Sequence, residues 1–195
     1  MAASVIWDLL APAYDRLRQS DRKTREIMYR RIRQVIRDRD VLEVGCGTGE
    51  LACTTAVYAR HMAAVDSSMG MLRQAEKKHG PKNLVFRPGD VYELPFGDGV
   101  FDVVIIADTL HVLNDPAKAL QEISRVMKPA GVLIAPDQLY GQAEENSRRM
   151  LPGTVRRQWT EGEYLLFLQE NGFAVNGYRI LAGRPPRIYA ECRRK

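Results

Sequence analysis

The stretch VLEVGCGTGEL, residues 41–51, combines a carboxylate with three closely spaced glycines. Glu43 lies within the apolar run, and Gly45, Gly47 and Gly49 follow at every second position. Glycine in regular structure costs about 0.5–1 kcal/mol relative to alanine, so the pattern favours a loop whose backbone must approach a ligand closely. Between a strand and a helix, such a loop can bind its ligand through the unpaired N–H groups of the helix N-terminus.

The spacing of the glycines distinguishes three classes of ligand. A phosphate-binding P-loop needs Gly-x-x-x-x-Gly-Lys-Ser/Thr, which the chain does not contain. A dinucleotide fingerprint, Gly-x-Gly-x-x-Gly, would place its third glycine where the chain has Glu50. A carboxylate at that position would repel a pyrophosphate. A ligand that carries a carboxylate and an ammonium group in place of phosphates is more compatible with this spacing.

A second acidic residue, Asp66, follows the apolar run MAAV at residues 62–65. At the end of the second strand of a nucleotide-binding α/β fold, a carboxylate can accept hydrogen bonds from both ribose hydroxyls. Charge-assisted hydrogen bonds of this kind contribute about 1.5–3 kcal/mol each. The alternative role is an N-cap for a helix that begins at Ser67, which is common for aspartate.

Apolar runs and helical periodicity alternate along the chain. Short apolar runs predict strands at 41–44, 62–65, 84–87, 101–107 and 131–136. Helices are predicted between them and before them, at 21–39, 50–60, 71–79 and 116–127. The first of these helices is basic and amphipathic. The alternation is typical of a parallel sheet with right-handed crossovers.

The C-terminal part adds a helix and two strands. Thr160-x-x-Glu163 is a capping box and predicts the start of a helix. The runs FAVNGYRIL (173–181) and PRIYAEC (186–192) predict an antiparallel hairpin at the edge of the sheet. We therefore predict a doubly wound α/β fold with a seven-stranded, mostly parallel sheet and an antiparallel C-terminal strand.

Size and composition are those of one globular domain, with 195 residues, 45% hydrophobic and 27% charged. No apolar run approaches the roughly 20 residues of a membrane span, and no basic leader precedes an apolar segment, so neither a transmembrane segment nor a signal peptide is expected. Cys46, Cys53 and Cys192 form no Cys-x-x-Cys pair, which favours a reducing, cytoplasmic setting. No cluster has metal-ligand spacing, so no metal is expected.

The net charge of +5 is unevenly distributed, because both ends of the chain are basic and the middle is acidic. A basic flank predicts an anionic acceptor, or an acceptor embedded in an anionic lipid surface. The alternative is a solvated face that binds nothing. The arginines most suited to such contacts are Arg30, Arg31, Arg33, Arg148, Arg149, Arg156 and Arg157.

Five segments in register resemble the class I S-adenosylmethionine-dependent methyltransferases. They are EVGCGTG, AVDSSMGML, GDVYELPF, FDVVIIADTLHVLNDP and VMKPAGVLI, which together cover about residues 41–139. Any one of these motifs is weak evidence, whereas five in the family's order are strong. WDLLAPAYD near the N-terminus also resembles this family, and the similarity is to its small-molecule, quinone-biosynthesis type.

The resemblance implies a Rossmann-like methyltransferase fold, S-adenosylmethionine as the cofactor and S-adenosylhomocysteine as the product. It implies that Asp66 binds the ribose, that Asp90 and the N–H of Val91 bind the adenine, and that Glu43 orients the glycine loop and the ligand's ammonium group. Ser67 stands where relatives often have a larger apolar residue, so Met69 or Tyr92 would supply part of the adenine wall. The full predicted cofactor set is Tyr14, Glu43, Gly45, Cys46, Gly47, Gly49, Asp66, Ser67, Met71, Asp90, Val91 and Ala107.

His111 is the candidate catalytic residue. It follows the fourth predicted strand, at the rim where the reactive methyl group should lie, and histidine is the commonest general base near neutral pH. The alternative is that it packs or caps the next helix. Cys46 is interpreted as a small filler. The residues after this strand, Ala107-Asp108-Thr109-Leu110, lack the Pro-Pro pair of amine methyltransferases that act on adenine or glutamine.

We expect one methyltransferase domain over residues 1–195, with an N-terminal helical cap (1–40), a cofactor-binding core (41–139) and a substrate-side insert with the C-terminal hairpin (140–195). The expected reaction is in-line methyl transfer to a small-molecule or lipid-like acceptor, whose pocket should include Trp7, Tyr14, the rim at Asp108 to His111 and the insert 137–159. Three alternatives stay open: a nicotinamide-dependent oxidoreductase, a catalytically silent binding module and a nucleic-acid methyltransferase. The last is raised by a pI of about 9.2, but no RNA-binding module accompanies it, so nucleic acid is disfavoured as a partner.

Overall fold

The computed structural model describes residues 2–17, 22–140, 157–183 and 185–195. The helices are α1 (Ala2–Leu17), α2 (Arg22–Val35), α3 (Glu50–Thr55), α4 (Met69–Glu76), α5 (Pro116–Val126) and α6 (Glu161–Glu170). The strands are β1 (Asp40–Val44), β2 (His61–Asp66), β3 (Leu84–Pro88), β4 (Phe101–Ile106), β5 (Met127–Ile134), β6 (Asp137–Gln138), β7 (Phe173–Leu181) and β8 (Arg187–Arg194).

All strands form one sheet in the order β3-β2-β1-β4-β5-β8, with β7 paired to the outer side of β8. The strands β1 to β5 pair in parallel, and β8 pairs antiparallel with β5, β6 and β7. The predicted α/β class and the antiparallel C-terminal strands are confirmed. The predicted number of seven strands is wrong, because the two-residue strand β6 also pairs with the start of β8 and makes eight in the described part of the chain.

The central strands are covered on both faces, as an apolar parallel strand requires. Successive side chains of β4 point to opposite faces, so Val103 and Ile105 pack with α2, α3 and α4 while Val104 and Ile106 pack with α5 and α6. All four side chains are fully buried. This two-sided packing fixes the carboxyl ends of β1, β2 and β4 at one edge of the sheet.

Some helices and strands end at other residues than the hydrophobic periodicity predicted. The helix predicted at 50–60 ends at Thr55 and continues as a 3₁₀ turn over Ala56–Tyr58. The hydroxyls of Thr54 and Thr55 donate to backbone carbonyls four residues earlier, a local competition that bends or shortens helices. The capping box of α6 is present as predicted, with the Thr160 hydroxyl accepting from the Glu163 N–H.

No helix in the described part of the chain is both long enough and apolar enough to cross a membrane.

Two glycines with the same backbone conformation give a test of the packing around the first motif. Gly49 and Gly99 have φ of +71° and +63°. A Cβ added at Gly49 would lie 2.7 Å from Phe86 Cζ, whereas a Cβ added at Gly99 would have no atom within 4 Å. Gly99→Ala should lower the free energy of unfolding by about 1–2 kcal/mol from strain alone. Gly49→Ala should cost about 1–3 kcal/mol more, because it also overpacks the interface. Urea unfolding would measure both, and equal losses would contradict the packing described.

Candidate functional site

A cavity of about 390 Å³ opens at the carboxyl ends of β1, β2 and β4. Its walls come from the segments that follow these strands and from α1 and α2. The carboxyl edge of an open α/β sheet is where ligands bind in this class of fold, since the connecting loops diverge there. The volume is within the usual range for small-molecule sites.

The glycine loop after β1 forms the floor of this cavity. Gly45, Gly47 and Gly49 have φ of +70°, +54° and +71°, the left-handed conformation that side chains disfavour. The N–H groups of Gly45 and Cys46 both donate to the carbonyl of Val65, at 2.9 and 3.0 Å. The loop is therefore tied to the end of β2, and its residues Gly45 to Thr48 line the cavity.

Asp66 fixes the loop from the neighbouring strand. Its Oδ2 accepts from the N–H of Gly47 at 2.7 Å, and its Oδ1 accepts from the N–H of Ser68 at 2.9 Å. Burial raises the pKa of Asp66 above its ordinary value of 3.8, although these hydrogen bonds oppose the shift. The residue that caps α4 is Ser68, whose hydroxyl accepts from the Met71 N–H, so the alternative of Asp66 as the N-cap is wrong.

Two more carboxylates line the cavity. Glu43 on β1 is 3% exposed, and Asp90 lies in the turn after β3. The Asp90 side chain accepts from the N–H of Tyr92 at 2.9 Å, a hydrogen bond that shapes this turn. Together with Asp66, they place a carboxylate on each of three neighbouring segments around one space.

Helix α1 covers the cavity and is held to the body at two points. Asp8 accepts from the Ser68 hydroxyl and the Gly70 N–H, both at 2.6 Å, at the N-terminus of α4. The hydrogen bond from Ser68 is the main cause of a lowered pKa of Asp8. Asp15 accepts from the Thr48 hydroxyl at 2.5 Å and pairs with Lys78 at 2.6 Å. Between these two contacts lies Tyr14 on the cavity wall, with Trp7 one residue before Asp8.

The remaining wall combines apolar and aromatic side chains with three polar ones. It consists of two residues of α2 and five of the segment after β4, namely Met28, Tyr29, Asp108, Thr109, Val112, Leu113 and Asn114. Apolar walls with a few placed polar groups are typical of sites for small organic molecules. This end of the cavity suits the molecule that reacts with a bound cofactor.

Eleven of the twelve predicted cofactor residues line the cavity: Tyr14, Glu43, Gly45, Cys46, Gly47, Asp66, Ser67, Met71, Asp90, Val91 and Ala107. Gly49 does not, because it packs against Phe86 and Ala75 beneath the loop. Tyr92 lines the cavity whereas Met69 is 49% exposed outside it. Burial raises the pKa of Cys46 well above its ordinary value, which fits a neutral filler and not a nucleophile.

His111 lies outside the cavity wall. His111 is 4% exposed, and its ring Nδ1 lies 2.5 Å from the Oδ1 of buried Asp137. The backbone N–H of His111 donates to Oδ2 of the same carboxylate. The Arg157 N–H donates to the His111 carbonyl at 2.7 Å. The structure therefore places the imidazole in a buried pair behind the rim, and contact with a reacting group stays a prediction without geometric support.

Several wall residues were not anticipated from sequence. Met28 and Tyr29 belong to the apolar face of α2, which the periodicity predicts to be core, and nothing in the spacing distinguishes a cavity wall from core. Thr48, Glu50 and Leu51 lie in or next to the glycine motif and could have been found from their position alone. Within the described ranges, no group of His, Cys, Asp or Glu could hold a metal ion.

The middle of the chain matches a family model. Residues 42–135 match the model described as "Methyltransferase domain". The "Demethylmenaquinone methyltransferase" of Clavibacter sepedonicus is 32% identical over 137 residues, which cover 67% of this chain and 56% of that protein. The chain belongs to the class I S-adenosylmethionine-dependent methyltransferase family.

Two further comparisons cover nearly all of this methyltransferase chain. The "Ubiquinone/menaquinone biosynthesis C-methyltransferase UbiE" of Syntrophotalea carbinolica is 28% identical over 220 residues, 96% of this chain and 92% of that protein. The solved DhpI–SAH complex has a TM-score of 0.80 and 24% identity over 99% of this chain and 95% of that chain, a likeness of fold. The predictions of the family, the Rossmann-like fold and S-adenosylmethionine as the cofactor are confirmed.

The raised pKa of Asp66 predicts a pH dependence of cofactor binding. Hydroxyls donate well to the ionised carboxylate, so affinity should fall as the pH is lowered through a pKa that lies above 3.8. For stability the sign is opposite. The folded-state pKa is raised, so protonation of Asp66 stabilises the fold, and this stabilisation is lost as the pH rises through that pKa.

Calorimetric titration with S-adenosylhomocysteine between about pH 4.5 and 7 would measure this dependence. The Asp66→Asn variant should bind S-adenosylhomocysteine at least about tenfold more weakly at neutral pH. Its affinity should also lose the part of the pH dependence that comes from titration of Asp66. Asp98→Asn, which changes a side chain 80% exposed, is the matched control and should behave as the wild type. An Asp66→Asn variant with wild-type affinity and pH dependence would contradict the assignment.

Proposed function

We propose that this chain transfers a methyl group from S-adenosylmethionine to a small-molecule acceptor. The observation that supports this most is the arrangement of Glu43, Asp66 and Asp90 with the glycine loop around one cavity. The chemistry of these donors fits the cofactor. Carboxylates can accept from ribose hydroxyls, an adenine amine and an ammonium group.

The parts of the cavity are assigned on this basis. Asp66 would bind the ribose, while Asp90 and the N–H of Val91 would bind the adenine. Glu43 and the loop from Gly45 to Gly47 would bind the amino-acid end. When bound, the cofactor supplies an activated methyl group on a sulfonium. The protein contributes mainly alignment and exclusion of water, an effect that is worth about 7–11 kcal/mol at best.

The acceptor is proposed to lie between α1, α2 and the segment after β4. The aromatic and apolar residues Trp7, Tyr29 and Leu113 line the cavity, and flat apolar molecules pack well against such walls. The relatives from Clavibacter sepedonicus and Syntrophotalea carbinolica are named after quinones. These names support a ring-containing acceptor. We propose that residues 1–40 cover the cavity, that 41–139 bind the cofactor, and that 140–195 support the acceptor side through Arg187. In the predicted insert 137–159, residues 137–140 and 157–159 do not line the cavity, and residues 141–156 lie outside the described residues.

Charge gives less support to an anionic acceptor than the sequence predicted. Arg33 pairs with Glu26 at 2.9 Å, and Arg31 lies over the ring of Tyr189. Arg157 donates from its side chain to the carbonyl of Asn114 at 3.3 Å. These three side chains are engaged within the protein. Arg148, Arg149 and Arg156 lie outside the described residues.

The chain spans little more than half the length of the Clavibacter relative that it matches, so the activity of that whole protein is a proposal for this chain.

Two rival functions are compatible with the family. A catalytically silent module would bind the cofactor without turnover. A nucleic-acid methyltransferase would bind the same cofactor and require RNA or DNA as acceptor. Turnover of tritiated methyl groups with small phenols, quinols and RNA would separate the three.

Cofactor binding is the first test of the proposal. Isothermal titration should show binding of S-adenosylmethionine and of S-adenosylhomocysteine, and none of NAD. Gly47→Val should weaken binding at least tenfold, because a β-branched residue is strained at φ +54° and its side chain would point toward Tyr14. Gly99→Val is the control for backbone strain far from the cavity wall. Binding of NAD alone would refute the proposed function.

A further inference from the structure

Asp108 is a charged residue at the acceptor end of the cavity, and two independent contacts fix it. It lines the cavity directly after β4 and has φ of +50°, the left-handed region. Its N–H donates to the Pro136 carbonyl at 2.9 Å. Its carboxylate forms an ion pair with the guanidinium of Arg187, the first residue of β8. Strained residues that are held from several sides are common at binding sites.

The ion pair between Asp108 and Arg187 is almost fully buried, with side chains that are 7% and 4% exposed. The two residues are 79 positions apart in the sequence. The pair therefore joins the segment after β4 to the start of β8, directly beside the cavity. A buried ion pair often stabilises a protein no better than apolar residues of the same size would. Its position on a ligand-binding wall is therefore better explained by recognition than by stability.

Two charged residues of the cavity wall are paired inside the protein. Glu50, which faces α2, pairs with the buried Arg25 at 3.3 Å, and Asp108 pairs with Arg187. An ionic acceptor beside them would lose its hydration, and these ion pairs of the described residues would offer it no uncompensated charge in return. A neutral acceptor with a hydrogen-bond donor avoids this cost. A carboxylate offers acceptor sites for about four hydrogen bonds, so Asp108 can hold Arg187 and accept from a ligand at once.

We infer that Asp108, oriented by Arg187, accepts a hydrogen bond from the hydroxyl group of a neutral aromatic acceptor. The ring of this acceptor would lie against Trp7, Tyr29 and Leu113, which line the same cavity. Asp108 is then an acceptor-binding residue and Arg187 is its positioning residue. The inference rests on the proposed function, because it assumes that the rest of the cavity holds the cofactor.

Three matched probes test the acceptor class without knowledge of the natural acceptor. 1-Naphthol has a neutral ring with a hydroxyl, 1-methoxynaphthalene lacks the O–H donor, and 1-naphthoate carries a negative charge. Each would be titrated calorimetrically into the wild-type chain saturated with S-adenosylhomocysteine. We expect naphthol to bind about 10- to 100-fold more tightly than the other two, the range for one hydrogen bond to a charged group. Equal binding of naphthol and methoxynaphthalene, or tighter binding of naphthoate, would overturn the inference.

Variants then locate the effect at Asp108. Asp108→Asn alone leaves Arg187 buried without its counter-charge and can prevent folding. The double variant Asp108→Asn with Arg187→Gln removes both charges and keeps polar side chains at both positions. It should fold, bind S-adenosylhomocysteine like the wild type, and lose the naphthol preference about tenfold or more. Asp102→Asn, at the opposite end of β4 and paired with Lys128, is the control and should keep this preference.

The role of Arg187 is measured by the same preference. Arg187→Lys keeps the positive charge beside Asp108 and should retain most of the ratio of naphthol to methoxynaphthalene affinity. A merely structural ion pair would move the melting temperature and leave this ratio unchanged in the double variant, which would overturn the inference. Failure of S-adenosylhomocysteine to bind the wild type would instead refute the proposed function, so the two failures are distinguishable.

Discussion

The site depends on the reversal of the chain between β1 and α3, where three glycines adopt left-handed backbone conformations. This geometry turns the amides of the loop toward the end of β2, where the Val65 carbonyl and the Asp66 carboxylate accept from them. An alanine at Gly45 would place its Cβ 2.6 Å from the Thr109 hydroxyl, so the loop also packs directly against the segment after β4. One constraint on backbone conformation thus brings three strand ends around one cavity.

The cavity brings together groups of two electrostatic kinds. Around the glycine loop, Glu43, Asp66 and Asp90 present carboxylates, and burial makes ionisation of Asp66 unfavourable. A ligand with hydroxyl and amine donors would compensate that cost. The carboxylates of Glu50, facing α2, and of Asp108, after β4, already have arginine partners. The cavity therefore suits a polar nucleoside at one end and a neutral molecule at the other.

The sequence predicted the fold closely where one residue type has one structural consequence. Apolar runs predicted strands to within a few residues, because a buried parallel strand tolerates few polar side chains. The run 101–107, for example, predicted β4, which the structure ends at Ile106. The place of Asp66 at the end of β2 was predicted from the apolar run that precedes it. Long-range pairing was not predictable, since nothing in the spacing relates Asp108 to Arg187 or His111 to Asp137. For the same reason the short strand β6 and the contacts of α1 with Thr48 and Ser68 were missed.

We propose that the cavity around the glycine loop binds the cofactor with its ribose on Asp66 and its adenine beside Asp90. The decisive measurement is a crystal structure of the chain with S-adenosylhomocysteine. Both ribose hydroxyls should lie within hydrogen-bond distance of the Asp66 carboxylate, and the adenine amine should lie close to Asp90. A nucleoside bound elsewhere, or bound in the cavity with its ribose away from Asp66, would refute this binding mode.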